Sequence, residues 1–506
     1  MLFKNLLFTI VAVLLAASPA AAESLDRALG LYKDGDYDEA SLAFYDLMAH
    51  DANADVREEA QVYLAKSLQK MHILVPALFY FKEIMLDGKK GRFYLNAVEG
   101  LLEIQKEMHD PLFVPSLVNR YYDAKGFGQL SPDKIAQLNY LIGELSFRQR
   151  KNRDAKAFLE PIPAEHPLSL NAEYLLGLLE VRSGNTQGAQ RFFRGILDRT
   201  ENNDDEEAQR IRQLAAIAAG RASYSLGHYG DAVRYYGKVP RLGEQWFNAM
   251  YENAWAYFQQ GEYGRALGEL SSITSPYFNK RHVPEAYVIQ GTTYFTNCQW
   301  DRVREAVARY KNVYEPMLTQ LKAYLEAKHE PKDYYQDVVA GGGDKFSIEL
   351  AREVRRSRRF HDYHFMIEHM AWEGKEAASL KMWQGTRMSE DLTDIIKQHH
   401  EQLVAAVGQW VGQQLHKKQA GLQHFQTQVD ILDFEVADAE RQWLEQGKEI
   451  LKGRRARLPR PEIPNDQWQH WDFEKEYWKD ELGYIQHSLA CECLTAEECE
   501  SVKSGK

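Results

Sequence analysis

The sequence predicts an all-α fold, a solenoid of helical hairpins followed by a module of long helices, and three observations carry that prediction. A three-position pattern of small and bulky residues recurs seven times between Ala28 and Val307. Further on, apolar residues settle into the 3,4 spacing of a helix that seeks a partner helix. Proline and glycine punctuate the chain at the intervals that short antiparallel helices need.

The clearest copy of the pattern is Tyr251 to Leu270, YENAWAYFQQGEYGRALGEL. Ala254 is small where two helices must approach closely, Gly261 makes the turn, Ala266 is the second small residue, and Leu270 follows one turn later. Six other stretches align without gaps. The first small position reads Ala28, Ala65, Gly143, Gly177, Gly220, Ala254 and Gly291. Twelve residues later stand Ala40, Ala77, Ala155, Ala189, Ala232, Ala266 and Val303, and four further on Phe44, Phe81, Leu159, Phe193, Tyr236, Leu270 and Val307.

In this register the chain resembles the tetratricopeptide repeat family, whose hairpins place a small residue in each helix and a bulky one a turn later. The first small positions step by 37, 78, 34, 43, 34 and 37 residues, against a family period of about 34. The double-length step leaves room for a degenerate unit across Arg92 to Ala124, and the 43-residue step carries the acidic loop TENNDDEE. Pro76, Pro163, Pro240 and Pro276 fall at helix starts or between helices, where a missing backbone donor does least harm. The resemblance implies stacked hairpins with a shared core and a concave inner surface that holds a peptide or a partner helix. Inner-face candidates from the first helices are Tyr224, Asn253, Tyr257, Tyr287 and Tyr294. The alternative is that these tyrosines pack between helices.

Before the repeats, Met1 to Ala22 has the composition of a secretory signal peptide: Lys4, an apolar run from Leu6 to Ala17, and Ala20-Ala21-Ala22 before Glu23. The run is shorter than the ~20 residues that span a bilayer, so cleavage after Ala22 and a periplasmic location without stable membrane insertion are expected. Loss of this leader leaves 61 basic and 73 acidic residues. An acidic balance of that kind lacks the footprint of a nucleic-acid binder.

The solenoid is expected over 23–312 and a helical connector over 313–388, with a turn at Gly341-Gly342-Gly343. That glycine run lacks the Lys-Ser or Lys-Thr of a phosphate-binding loop. Arg352, Arg355, Arg356 and Arg359 are spaced to share one helical face, suited to carboxylates or phosphates or to internal ion pairs. Over 389–452 the seam Leu422, Phe425, Val429, Leu432, Val436, Ala439, Trp443 predicts either a long coiled-coil helix or a hairpin bent near Gly408, Gly412 and Gly421. Such a seam needs a partner, from a second copy or from within the chain.

The last stretch, 453–506, reads as a proline-bearing linker and an aromatic helix in which Trp471, Trp478, Leu482, Ile485 and Leu489 share one face. Either this helix is strapped onto the preceding ones or its tryptophans stand free for a partner or a sugar polymer. The motif WDFEKEYWKDELGY is similar to the ends of tetratricopeptide proteins of bacterial envelope machines, including those of gliding motility. In an oxidising compartment, Cys499 is expected to pair with Cys491 or Cys493, leaving Cys298 a free or buried thiol.

No catalytic, cofactor or metal motif stands out. His487 with the C-x-C-x5-C run lacks a zinc knuckle, and His361, His364 and His369 with Glu368 do not share one helix face. The expected function is a non-catalytic periplasmic scaffold for protein–protein interactions in a bacterial cell-envelope complex, a motility or secretion machine. A carbohydrate-binding or polymer-export accessory protein is the alternative.

Overall fold

A computed structural model describes residues 24–86, 91–110, 112–123, 127–278, 281–445, 463, 465–472 and 476–493, the side chain of Trp443 excepted. The leader, most of the proline-bearing linker, and Cys499 lie outside the described residues.

The first helices come in consecutive pairs, α1 (Leu25–Asp34) with α2 (Tyr37–His50) and α3 (Ala54–Lys70) with α4 (Leu74–Leu86), and α5 (Tyr94–Met108) and α6 (Phe113–Arg120) follow in sequence. The series continues with α7 (Pro132–Arg148) and α8 (Asn152–Leu159), α9 (Ser169–Arg182) and α10 (Thr186–Arg199), and α11 (Glu206–Ser225) and α12 (Tyr229–Tyr236). It closes with α13 (Trp246–Gln259) and α14 (Tyr263–Ile273), and α15 (Pro284–Thr296) and α16 (Trp300–Glu326). Beyond the repeats come α17 (Pro331–Val339), α18 (Ile348–Arg355), α19 (Arg358–Ser379) and α20 (Arg387–Glu445). The described residues contain no β-strand.

The three-position register has a direct physical basis. Every alanine at a small position is fully buried, and so are Phe44, Phe81 and Phe193. A methyl group on Gly143, Gly177 or Gly220 would lie 2.7, 2.5 or 2.3 Å from Leu159, Phe193 or Tyr236, the bulky residue of the same hairpin. Glycine is therefore the socket and the bulky side chain the plug. Seven residues after each first small position the chain turns through a left-handed conformation, at Gly35, Gly184, Gly227 and Gly261, and at His72, Arg150 and Cys298 where glycine is replaced. A side chain in that conformation costs roughly 1–2 kcal/mol.

The chain divides into two compact units, 1–108 with 369–399, and 109–368 with 400–506. In the first, hairpins α1/α2 and α3/α4 precede α5, whose Gly100 abuts the Phe81 ring. The returning segment 369–399 is built into it. Trp383 is fully buried and donates from Nε1 to the carbonyl of Asp38 at 3.1 Å, while Glu373 accepts from the Val75 amide at 3.0 Å and so caps α4.

In the second unit, α6 packs on α7 and five hairpins follow, from α7/α8 to α15/α16. Helix α16 runs 27 residues through Pro316, so the second helix of the last repeat and the predicted start of the connector are one element. Helix α20 is unbroken for 59 residues, which settles the alternative against a hairpin bend at its glycines. A methyl group on Gly408 would sit 1.7 Å from the Pro331 carbonyl, and one on Gly412 3.2 Å from the Tyr334 ring. Those two glycines mark close approaches.

The heptad seam also has its partner. Leu422, Val429 and Val436 are buried, a methyl group on Gly291 would stand 3.0 Å from the Leu432 side chain, and the Tyr310 hydroxyl donates to the Leu422 carbonyl at 3.1 Å. Arg304 pairs with Glu440, and Lys311 with Asp433 at 2.9 Å. The chain's own α15 and α16 cover the seam that self-association would need. Ile431 and Phe434, outside it, are exposed.

Candidate functional site

The described residues from 476 to 493 form turns and extended chain, not the predicted aromatic helix. They lie along α14 and the hairpin turn after α15, and backbone groups make much of the contact. The His487 amide donates to the Gly264 carbonyl at 2.9 Å, and the Glu492 amide to the Asn297 carbonyl at 3.0 Å. Gly483 donates to Ser272 Oγ at 2.8 Å, Gln299 Nε2 donates to the Ala490 carbonyl at 2.8 Å, and the Arg241 guanidinium donates to the carbonyls of Lys479 and Leu482.

Two glycines make this approach feasible. Gly264 and Gly268 are one turn apart on α14, and a methyl group would stand 2.3 Å from the His487 carbonyl oxygen on the first and 1.6 Å from the Ile485 carbonyl oxygen on the second. The segment thus lies flat on a bare strip of helix. Leu482 is buried in the core with Trp246 and Met250, and Gly483 is in the left-handed region at φ 84°, where a methyl group would stand 3.1 Å from the Trp246 ring. His487 Nε2 meets Ser271 Oγ at 2.8 Å, and burial pushes the imidazole down to about 4, with Arg302 adding to the shift. Neutral imidazole is the docked form.

A disulfide joins Cys493 to Cys298. Of the two pairings expected for Cys499 this excludes the one with Cys493, and it corrects the expectation that Cys298 is a thiol. The turn position that glycine fills elsewhere puts the Cys298 side chain at the tip of the hairpin, where the segment arrives. Cys491 is disulfide-bonded too.

Beside the segment is a cavity of about 570 Å³, lined by α12–α14, by residues 237–241 and by Trp468 and 482–486. Trp246, Met250, Asn253 and Tyr257 recur along one face of α13 and form one wall, with Arg265 and Glu269 of α14 opposite. Asn253 Nδ2 donates to Glu269 Oε1 at 2.8 Å, leaving Asn253 Oδ1 and Glu269 Oε2 buried and unpartnered. Burial raises the Glu269 carboxyl to about 8 against the opposing pull of Asn253. A largely neutral carboxyl beside a carboxamide can accept or donate hydrogen bonds, and both residues line the cavity.

The predicted inner-face residues separate into two groups. Asn253 and Tyr257 line the cavity. Tyr224 and Tyr294 pack against the core, Tyr224 edge-on to Tyr229 and Tyr294 under Arg302, while Tyr287 meets Tyr314 edge-on. The shared arginine face is absent, because α18 ends at Arg355 and Ser357 starts α19, accepting from the Phe360 amide at 3.2 Å. Arg355 donates to the Val339 carbonyl at 3.2 Å, Arg356 pairs with Glu353 at 2.6 Å, and Arg359 lies over Tyr363 and Trp410. Arg352 is half-buried on the last turn of α18. Trp471 and Trp478 are 40% and 60% exposed and do not share a face with buried Leu482.

Glu269, Gly264, Gly268 and Arg241 escaped the sequence reading. Two signals mark the first three: glycines four apart in α14, which bare a helix strip, and an acid flanked by Gly268 and Leu270 in an otherwise apolar run.

No protein-family model matches the chain, and no curated protein matches it. Among solved structures it is similar to NprR in complex with its cognate peptide NprX, at 14% identity and a TM-score of 0.29 over 68% of this chain and 98% of that one. It is also similar to a Rap protein complexed with competence and sporulation factor, at 12% identity and a TM-score of 0.27 over 75% and 97%. Likeness at those scores says nothing of function, and the repeat register of this chain carries the fold by itself. No helix among the described residues is long and apolar enough to cross a membrane.

Proposed function

We propose that the chain is a non-catalytic scaffold of the bacterial cell envelope whose α12–α15 groove holds an extended segment of a partner protein. The observation that supports this most is the way the groove holds residues 482–493, by backbone hydrogen bonds, a bare glycine strip and one buried leucine. A surface that grips an extended chain largely through its main chain is suited to binding peptides. The envelope location rests on the leader composition and agrees with disulfide-bonded cysteines, which persist in oxidising compartments. The choice of a motility or secretion machine rests on the resemblance of WDFEKEYWKDELGY alone.

Photo-crosslinking in the native periplasm, from a photoreactive residue at Tyr257 and from a control at Arg194 on α10, tests this reading. A protein crosslinked at Tyr257 and not at Arg194 is the expected result. No crosslinked protein at either position, with the Cys298–Cys493 bridge intact or removed by Cys298→Ser/Cys493→Ser, overturns it.

The exposure of Trp471 and Trp478 favours a second reading, a polysaccharide-binding accessory protein. Sedimentation with purified peptidoglycan, lost in Trp471→Ala/Trp478→Ala, would place it first.

A further inference from the structure

We infer that the α12–α15 groove is a gated peptide site: its resident occupant is the chain's own segment 482–493, the Cys298–Cys493 disulfide is the latch, and opening the latch admits an extended partner segment of the same pattern. The inference rests on the scaffold reading above and adds the occupant, the gate and the recognition pattern.

The pattern is a leucine followed by glycine, then a stretch lying flat on Gly264 and Gly268, then an imidazole on Ser271. Each feature has a seat. The leucine enters the core beside Trp246, the glycine clears the Trp246 ring in a conformation that favours glycine, and the histidine reaches a hydroxyl. Backbone pairing fixes the register at the Gly264 and Asn297 carbonyls.

The segment is an incomplete filler. It leaves Asn253 Oδ1 and Glu269 Oε2 without partners beside a cavity of about 570 Å³. A partner segment that brings a donor there gains pairing that the resident lacks. Lys238, Arg241 and Arg265 line the same cavity, so a neutral donor such as a side-chain amide or hydroxyl suits it better than a cation.

The latch closes a loop 195 residues apart in sequence, so the bridge keeps the segment at its seat in spite of a long connection. Both cysteines are half-buried, not enclosed in the core. Opening needs a dithiol reductant. Its thiolate attacks one sulfur of the bridge, the S–S bond breaks, and the other sulfur leaves as a thiolate that takes a proton. The second thiol of the reductant then resolves the mixed disulfide. Two electrons and two protons end on Cys298 and Cys493, and the reductant ends as a disulfide.

The test uses the full chain in three forms: oxidised, Cys298→Ser/Cys493→Ser, and that double variant carrying Leu482→Asp to unseat the resident segment. Hydrogen exchange reads the amides of His487 and Glu492, and fluorescence polarisation reads a labelled synthetic peptide, LGYIQHSLA, with the sequence of Leu482 to Ala490. The expected result is exchange faster by on the order of tenfold in the double variant, with the α13 and α14 amides unchanged. Peptide binding is expected to be absent in the oxidised chain, strongest in the triple variant, and lost again when Gly268→Ala is added. Unchanged exchange after the bridge is opened overturns the latch, and so does equal peptide binding by oxidised and triple-variant protein. A folded triple variant, judged by circular dichroism, that ignores the peptide overturns the recognition pattern. A crosslinked partner at Tyr257 with no peptide binding would sink this inference and leave the scaffold reading standing; peptide binding with no crosslinked partner would do the reverse.

Discussion

Helix α20 and the segment 482–493 both cover repeat hairpins of the second unit, but by opposite means. The helix covers α15 and α16 with side chains: Leu422, Val429 and Val436 are buried, and Leu432 approaches the Gly291 socket. The segment covers α14 with its backbone, one buried leucine and a disulfide. Removing a cover made of packed apolar side chains exposes the apolar surface on both sides to water. A backbone cover held by a bridge can leave while the hairpins below keep their own small-to-bulky packing. The difference separates a structural partner from a resident ligand.

The largest effects are therefore expected along the helix. Leu422→Ala removes a buried side chain from the seam and should cost about 2–5 kcal/mol in urea denaturation of the second unit. Gly408→Ala drives a methyl group against the Pro331 carbonyl oxygen, 1.7 Å from where its Cβ must stand, and should cost about 1–3 kcal/mol by overpacking. If either variant left the denaturation profile unchanged, the helix would be no more structural than the segment.

Smaller global effects should follow from Gly268→Ala. Its Cβ would stand 1.6 Å from the Ile485 carbonyl oxygen, so the segment must lift, while α14 itself accepts alanine readily. Proteolysis near Tyr484 should accelerate in the oxidised chain with little change in the thermal midpoint. A large loss of midpoint would mean that the segment is as integral as α20.

The subtlest contrast is in pH. His487 is shifted from its ordinary 6.5 to about 4 when docked, so its contribution is fully present above pH 6.5 and is lost as pH falls through 4. Exchange protection of the segment should decline over that window, and His487→Gln should flatten the decline. Glu269 moves the other way, from 4.5 to about 8, so its contribution is complete below pH 4.5 and is lost as pH rises through 8. Glu269→Gln should remove that slope from the stability profile of the second unit, and an unchanged slope would refute the buried neutral carboxyl.

How much of this was legible beforehand follows the distance over which each signal acts. The small and bulky positions belong to one hairpin, sixteen residues apart, so Gly177 and Phe193 betray their contact in local spacing. The heptads of α20 were equally legible as a pattern, yet a 3,4 seam looks the same whether a second copy or α16 covers it. The site was less legible still. Asn253 and Tyr257, legible from their register on a repeat helix, line the cavity, whereas Glu269 becomes distinctive only when residues more than two hundred positions later arrive beside it. Cys298 read as a missing turn glycine, and its meaning lies in Cys493. The aromatic stretch was misread as a helix because its apolar spacing fits one, while its main-chain partners are on α14 and after α15.

Disulfide mapping of the purified oxidised protein, by proteolysis without reduction and mass spectrometry, tests the central claim most directly. The account predicts a linked pair of peptides carrying Cys298 and Cys493. Cys298 recovered as a thiol, with Cys493 bridged inside the cysteine cluster at the end of the chain, would contradict it.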